Sequence, residues 1–476
     1  MTSFRSWRAL RSETVRTGEV LERHPLPDEL LPSHAADGNR VVYRGVGYDG
    51  ATRAVSGSVF VPVGSAPPSG WPVVSYAHGT TGLADHCAPS RVGLTRGERE
   101  HVSRWLAAGY AVAATDYEGL ATPGPHPYFH GEAVADDVID VVRAARDLHD
   151  RVGRTWLVAG FSQGGHAALF TGLMASRYAP ELDFRGTVAL APPVQLPRLV
   201  RILTRFGDRP VSLLLPFLLA GVRDLEARAF LTEIGRDLVD YAGKATLVDM
   251  YRAVHGLTND DAGLTDVHRR PGVEPVLEAC RVPVTHMDRP VYITAGTADE
   301  IVPAEVVTSF ATDLRYAGAD VIFDRHDGAN HVDLLSAGLD RIIAWATRIV
   351  RARTGFDWFD ADHDGRLTGD DFAVYALRLV QACGAAPGSV AARAVREGFA
   401  ALWRAIAAGA DGGASGSVDR AEFMRHVETG DGFEREIAAL AEAVLRMAES
   451  SDSVSAADIA SAVRDPGRVD HWLFGV

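Results

Sequence analysis

The stretch WLVAGFSQGGHAALFTG, Trp156 to Gly172, decides how this chain reads. An apolar run ends at a glycine, a serine sits between two glycines in the spacing GxSxG, and a segment rich in small residues with helical character follows. A turn that tight between a strand and a helix leaves no room for side chains at its flanks. Glycine at 160 and 164 therefore lets Ser162 project alone above the end of the strand. The helix behind it points its N-terminal dipole at the same spot, where a developing negative charge would be held.

The same alternation extends outward. From Arg40 to Asp324, short β-branched runs alternate with longer helical patterns, which is the signature of an α/β sheet. Strands are expected at Val41 to Arg44, Val55 to Val61, Val73 to Ala77, Ala111 to Thr115, Trp156 to Ala159, Thr187 to Leu190, Val291 to Ala295 and Val321 to Phe323. Most are apolar throughout, as parallel strands covered on both faces should be. One interval, about 195–288, shows no strand pattern; it is rich in leucine and broken by Pro197, Pro210 and Pro216, so it reads as a helical insertion. Val332 to Val350 reads as an amphipathic helix closing this part of the chain.

Composition narrows the classes. The chain has 476 residues, 47% of them hydrophobic and 23% charged, enough for one large domain and a smaller one. Its net charge is −14 and Lys244 is its single lysine, which argues against nucleic acid or an anionic membrane surface as a partner. The run Val211 to Val222 is too short to span a bilayer, and Pro216 interrupts it. The N-terminus MTSFRSWRALRSETV lacks the apolar run of a secretory signal, so a cytoplasmic location is expected. Cys87, Cys280 and Cys383 show no CxxC spacing and read as buried thiols rather than a zinc site.

A serine needs a base within hydrogen-bond reach, oriented in turn by a carboxylate. Asp299 stands in VYITAGTADEIVP after one expected strand, and His331 in VIFDRHDGANHVDLL after the next. Rival bases are His326, His166 and His78; rival acids are Glu300, Asp324, Asp327 and Asp333. The order Ser162, Asp299, His331 and the loop positions favour the first set. One oxyanion donor is expected from the Gln163 backbone. The other comes from the loop AHGTTG, where Gly79 and Thr80 are equal candidates.

On these residues the region from about 18 to 350 resembles the secretory-lipase branch of the α/β-hydrolase superfamily, the branch of the fungal A-type lipases. The resemblance is carried by AHGTTGLADHCAPS (77–90), YAVAATDYEGLATPGPHPY (110–128), GFSQGGHAA (160–168), GTADEIVP (296–303) and GANH (328–331). It implies hydrolysis of carboxylic esters by a Ser-Asp-His triad beneath a helical lid, here the 195–288 insertion, with Leu213 to Leu219 and neighbours beside the acyl chain. A lipid or other small ester is the implied substrate, and triad chemistry leaves an amidase, acylase or peptidase open. A calcium-responsive binding protein without turnover is the reading from another class. A Cys87–Cys280 disulfide, which the resemblance would suggest, stays open.

Beyond Arg353 the character changes to helical and acidic, with 20 Asp and Glu against 12 arginines. DADHDGRLTGDD, Asp360 to Asp371, meets a calcium-loop template position by position: Asp360, Asp362, Asp364, the Arg366 carbonyl, Thr368 and Asp371 as ligands, Gly365 at the turn and Leu367 for a short pairing strand. Asp371 is one methylene shorter than the usual glutamate, which predicts weaker Ca2+ affinity and tolerance of Mg2+. DGGASGSVDRAE, Asp411 to Glu422, supplies Asp411, Ser415, Ser417 by its carbonyl, Asp419 and Glu422, with Gly416 and Val418 in place. MAESSDSVSAAD reads as an eroded third loop. This segment resembles sarcoplasmic or calerythrin-type EF-hand proteins, through 356–372, 410–423 and DPGRVDHWLFG (465–475). The expected organisation is an α/β-hydrolase domain over 1–352 with its lid insertion, followed by an all-α EF-hand domain over 353–476.

Overall fold

The computed structural model describes residues 16–351 except 68, 224, 226 and 227, and further along 359–360, 365–382, 386, 388–409, 416–419 and 422–423. Two compact units emerge, divided near Arg351.

The first is built on a nine-stranded sheet in the order β1-β2-β3-β5-β4-β6-β7-β8-β9. The strands are β1 (Val20–Pro25), β2 (Ala35–Val46), β3 (Thr52–Pro62), β4 (Trp71–Ala77), β5 (Ala111–Thr115), β6 (Val152–Phe161), β7 (Asp183–Leu190), β8 (Val291–Gly296) and β9 (Val321–His326). From β5 through β9 every pairing is parallel, while β1, β2, β3 and β5 pair antiparallel. Every residue of β5, β7 and β8 is buried, because helices cover both faces there; the strands are mainly apolar, and in β7 the buried Arg185 is paired with Asp183 at 2.6 Å. The eight expected strands are all present; β5 has the expected bounds and the other seven extend beyond them. β1 was not expected: five of its six residues are exposed, so the hydrophobic pattern that marks a strand is missing.

The helices Gly131–Leu148 and Gln163–Tyr178 pack on one another and on the central strands. The interval 195–288 is helical as expected, with helices including Leu196–Leu203, Leu214–Gly221, Glu233–Ala242, Leu247–Val254 and Val273–Ala279. They share a core of their own around Leu215, Phe217, Leu218, Met250 and Leu277. The closing amphipathic segment is split: a 3-10 turn covers Val332–Leu335 and the helix proper begins at Leu339, after Gly338 takes a positive φ of 70°.

In the second unit the helices Gly369–Ala382 and Val390–Gly409 pack on each other around Leu367, Phe372, Val395, Phe399 and Val418. Two-residue strands β10 (Arg366–Leu367) and β11 (Val418–Asp419) pair antiparallel, with Leu367 opposite Val418.

Candidate active site

Ser162 occupies the turn between β6 and the helix Gln163–Tyr178, with φ 53° and ψ −116°, a strained backbone for a residue with a side chain. The turn is held by a hydrogen bond from the Ser162 N–H to the Leu190 carbonyl at 2.9 Å. A Cβ on Gly160 would overlap the Gly164 carbonyl, and one on Gly164 would overlap that of Ala77. Those two glycines are demanded by contact, and Ser162 alone carries a side chain outward.

His331 Nε2 lies 2.9 Å from Ser162 Oγ, and His331 Nδ1 lies 2.7 Å from Asp299 Oδ2. Since the carboxylate only accepts, Nδ1 carries the proton and Nε2 faces the hydroxyl with its lone pair. Asp299 Oδ1 in turn accepts the backbone N–H groups of Ile301 and Val302 at 2.9 and 2.8 Å. The loops after β8 and β9 thus bring together the three residues read from the sequence. The rivals lie elsewhere. His166 Nε2 donates to the Cys280 carbonyl at 2.7 Å, and burial pushes its pKa down to about 4. His326 stands 3.5 Å from Asp324, which is engaged by Tyr292 and Arg341. Asp333 accepts the Asn330 N–H.

The Gly79 N–H donates to Glu98 Oε1 at 2.8 Å, whereas among the described residues the Thr80 N–H has no acceptor. Gln163 is the first residue of its helix, where a backbone N–H has no intrahelical partner. Glu98 also accepts from Tyr76 Oη and Thr95 Oγ1. It is 2% exposed, and nothing in its spacing marked it in advance. Ser90 of CAPS and Asp116 of TDYEG prove to be partners: Asp116 accepts the Ser90 N–H at 2.8 Å and the hydroxyls of Ser90 and Ser56, tying the two stretches together away from the serine.

Above Ser162 lies a cavity of about 380 Å³ whose walls are mainly apolar, among them Phe161, Leu213, Leu214, Phe217, Tyr251, Ile301 and Val332. Of the Leu213 to Leu219 run only Leu213, Leu214 and Phe217 face it; Leu215 and Leu218 are wholly buried in the insertion's own core. The helix turn decides this, since only one face of a helix can meet the cavity. Cys87 and Cys280 are both free and buried, so they do not pair; Cys383 lies outside the described residues.

Of the expected metal ligands, Asp362, Asp364, Asp411 and Ser415 lie outside the described residues. Asp360 is 2% exposed and its Oδ2 accepts the Gly365 N–H at 3.1 Å, while Gly365 and Gly416 take φ of 84° and 68°. Asp371 accepts from the Thr368 N–H and Oγ1, each at 2.8 Å, and Glu422 accepts from the Asp419 N–H at 2.8 Å, so both carboxylates cap helix starts. The Arg366 guanidinium donates to Ser417 Oγ across the β10–β11 pair at 2.7 Å. Among the described residues no three His, Cys, Asp or Glu side chains stand close enough to hold a metal ion.

A family model described as Secretory lipase matches residues 88–354. The chain is 27% identical over 335 residues to a protein named probable inactive lipase from Mycobacterium tuberculosis, covering 65% of this chain and 72% of that one. It is 23% identical over 359 residues to lipase A of Moesziomyces aphidis, covering 68% and 75%. Among solved structures, a rice cell wall degrading esterase from Xanthomonas oryzae superposes with a TM-score of 0.60 at 19% identity, over 71% of this chain and 99% of that one. Lipase A of Candida antarctica in its closed state gives 0.59 at 20% identity, over 71% and 83%. At such identities the structural likeness establishes the fold, a mixed α/β sheet of the α/β-hydrolase kind. The family match also corrects the expected cytoplasmic location: the N-terminal residues suggested a protein that stays inside, but the family is one of secretory proteins. The composition, the sheet, the serine turn and the match over 88–354 lead to one conclusion: this chain belongs to the secretory lipase family.

Proposed function

We propose that the protein is a secreted carboxylic ester hydrolase in which Ser162 is the nucleophile, His331 the general base and Asp299 the residue that orients it. The observation that carries this reading is the continuous line from Asp299 through His331 to Ser162 Oγ at hydrogen-bond distances, beneath an apolar cavity. His331 takes the serine proton as Oγ attacks the ester carbonyl. The N–H groups of Gln163 and Thr80 receive the oxyanion, since the Gly79 N–H is already directed at Glu98. His331 then protonates the leaving alcohol, and water releases the acid by the reverse roles. Apolar walls favour an ester with a hydrocarbon acyl chain over a peptide, whose amides would be buried there without partners. The test is hydrolysis of p-nitrophenyl esters from acetyl to palmitoyl. Ser162→Ala is expected to lose at least about 1,000-fold in kcat; turnover surviving that change overturns the reading.

We further propose that the acidic C-terminal segment is an EF-hand module holding Ca2+, with Mg2+ tolerated in the first loop. Support comes from the antiparallel contact of Leu367 with Val418, the left-handed glycines at the sixth position of both loops, and the buried Asp360 accepting the Gly365 N–H. These are the pairing and turn that such loops use, and the oxygen donor set suits a hard cation. Asp360, Asp362, Asp364, the Arg366 carbonyl, Thr368 and Asp371 would hold one ion; Asp411, Ser415, the Ser417 carbonyl, Asp419 and Glu422 the other. Titration calorimetry of the full chain with Ca2+ is expected to show binding that Mg2+ competes with and that Asp360→Ala weakens at least about tenfold. No heat of binding in either titration overturns this assignment.

A further inference from the structure

A line of hydrogen bonds behind the active serine has a direction that can be worked out atom by atom. His126 Nδ1 lies 3.0 Å from the Glu118 carbonyl oxygen, which can only accept, so Nδ1 carries the proton. Burial pushes this imidazole down to about 3, so it is neutral and Nε2 presents a lone pair. Gln163 must therefore turn its NH2 toward that nitrogen, 2.8 Å away. Its Oε1 then faces Thr80 Oγ1 at 3.2 Å and accepts from it. The Thr80 hydroxyl has only one proton, so Tyr128 Oη, 2.7 Å away, donates to Thr80. Reversing any member would set two donors or two acceptors against each other in a buried place.

We propose that His126 and the side chain of Gln163 are positioning residues for the oxyanion hole, holding Thr80 in register with the nucleophile turn. The proposal rests on the hydrolase reading above and names what keeps its two oxyanion donors in place. Gln163 supplies the backbone N–H directly after Ser162, and Thr80 supplies the second from the loop after β4. These two residues come from different elements and touch through Oε1 and Oγ1. His126 and Tyr128, both from PHPY, grip that contact from its two ends. His126 is itself held, stacked on Tyr117 at 5.6 Å between ring centres, and Tyr117 Oη donates to the His78 carbonyl in the Thr80 loop. On the far side Glu98 holds the Gly79 N–H. The loop is fixed from both flanks, leaving the Thr80 N–H to a ligand.

A brace of this kind serves charge that appears only in the transition state, so its loss shows in kcat and not in KM. The test compares wild type with His126→Phe, which keeps the stacked ring and deletes the acceptor, and with Gln163→Met, which keeps the backbone N–H and deletes the side-chain bonds. Turnover is measured with p-nitrophenyl butyrate. Inhibition is measured with butylboronic acid, which adds to the serine oxygen as a tetrahedral anion, and folding by urea midpoint. Expected in each folded variant is a fall in kcat of about 10- to 100-fold with KM within about twofold, and boronate inhibition weakened by a similar factor. Unchanged kcat and boronate affinity in both folded variants would overturn the proposal, as would a rise in KM that accounts for the whole loss. Failure of the underlying hydrolase reading would look different: turnover would persist in Ser162→Ala.

Discussion

Three donors fix the Asp299 carboxylate, and they decide in advance how an amide would sit there. Oδ1 is bound to two backbone N–H groups, Ile301 and Val302, which only a carbonyl oxygen can satisfy. In Asp299→Asn the amide oxygen must take that place, so its NH2 is forced toward His331 Nδ1. The imidazole then carries its proton on Nε2 and offers Ser162 a donor instead of a base. The expected outcome is a loss of about 10,000-fold in kcat with KM and thermal midpoint little changed, measured on the same chromogenic ester. A loss below about tenfold would mean that Asp299 does not set the tautomer. The three residues of this line could be read from the sequence because each follows a strand and each chemistry allows few residue types. Glu98, His126 and Tyr128 could not. Their partners, Gly79, Gln163 and Thr80, lie 19, 37 and 48 residues away, and no spacing rule links them.

At the scale of elements, legibility follows burial. Strands covered on both faces announce themselves as short apolar runs, so the central sheet could be drawn from β-branched residues alone. β1 escaped because it is an edge strand with its side chains in water, where hydrophobicity carries no information about pairing. The closing helix could be read on its apolar face, Ile342 and Ala346, both fully buried. Its interruption at Gly338 could not, because a left-handed glycine looks the same in sequence as a helical one. In the insertion, leucine content showed that the helices would bury a core but not which leucines would turn to the cavity. Leu214 faces it and Leu215 does not, a difference of one residue around a helix. The two loops of the C-terminal segment are the opposite case: the template they resemble specifies its glycine and aliphatic positions one by one, and Leu367 and Val418, read at the aliphatic positions, are opposite one another in the β10–β11 pair.

Across the whole molecule, acid should act through histidines that the fold keeps neutral. His101 donates from Nδ1 to the Leu335 carbonyl at 2.7 Å and accepts the Trp105 indole N–H at 2.9 Å on Nε2, so both nitrogens are occupied by a neutral ring. Burial pushes His101 and His166 down to about 4 and His126 to about 3. On unfolding each returns to a value near 6.5 and takes up a proton below that pH. Because the folded values are depressed, the stability these rings contribute is complete above about pH 6.5 and is lost as pH falls toward their folded values. Each such site contributes at most about 1.4 kcal/mol per pH unit, between its unfolded and its folded value. Asp137 and Asp140 act in the opposite sense, since burial raises both carboxyls in the folded state and acid therefore favours folding through them. Their presence flattens the curve without moving the histidine share. That share is isolated by His101→Gln, whose amide can donate to Leu335 and accept from Trp105 while having no proton to gain. Urea unfolding of wild type and variant, followed from pH 4.5 to 6.5, is expected to show the difference in stability growing toward acid pH in favour of the variant. Parallel curves would mean that His101 is as easily protonated folded as unfolded, and that the neutral pair of hydrogen bonds it makes does not govern its charge.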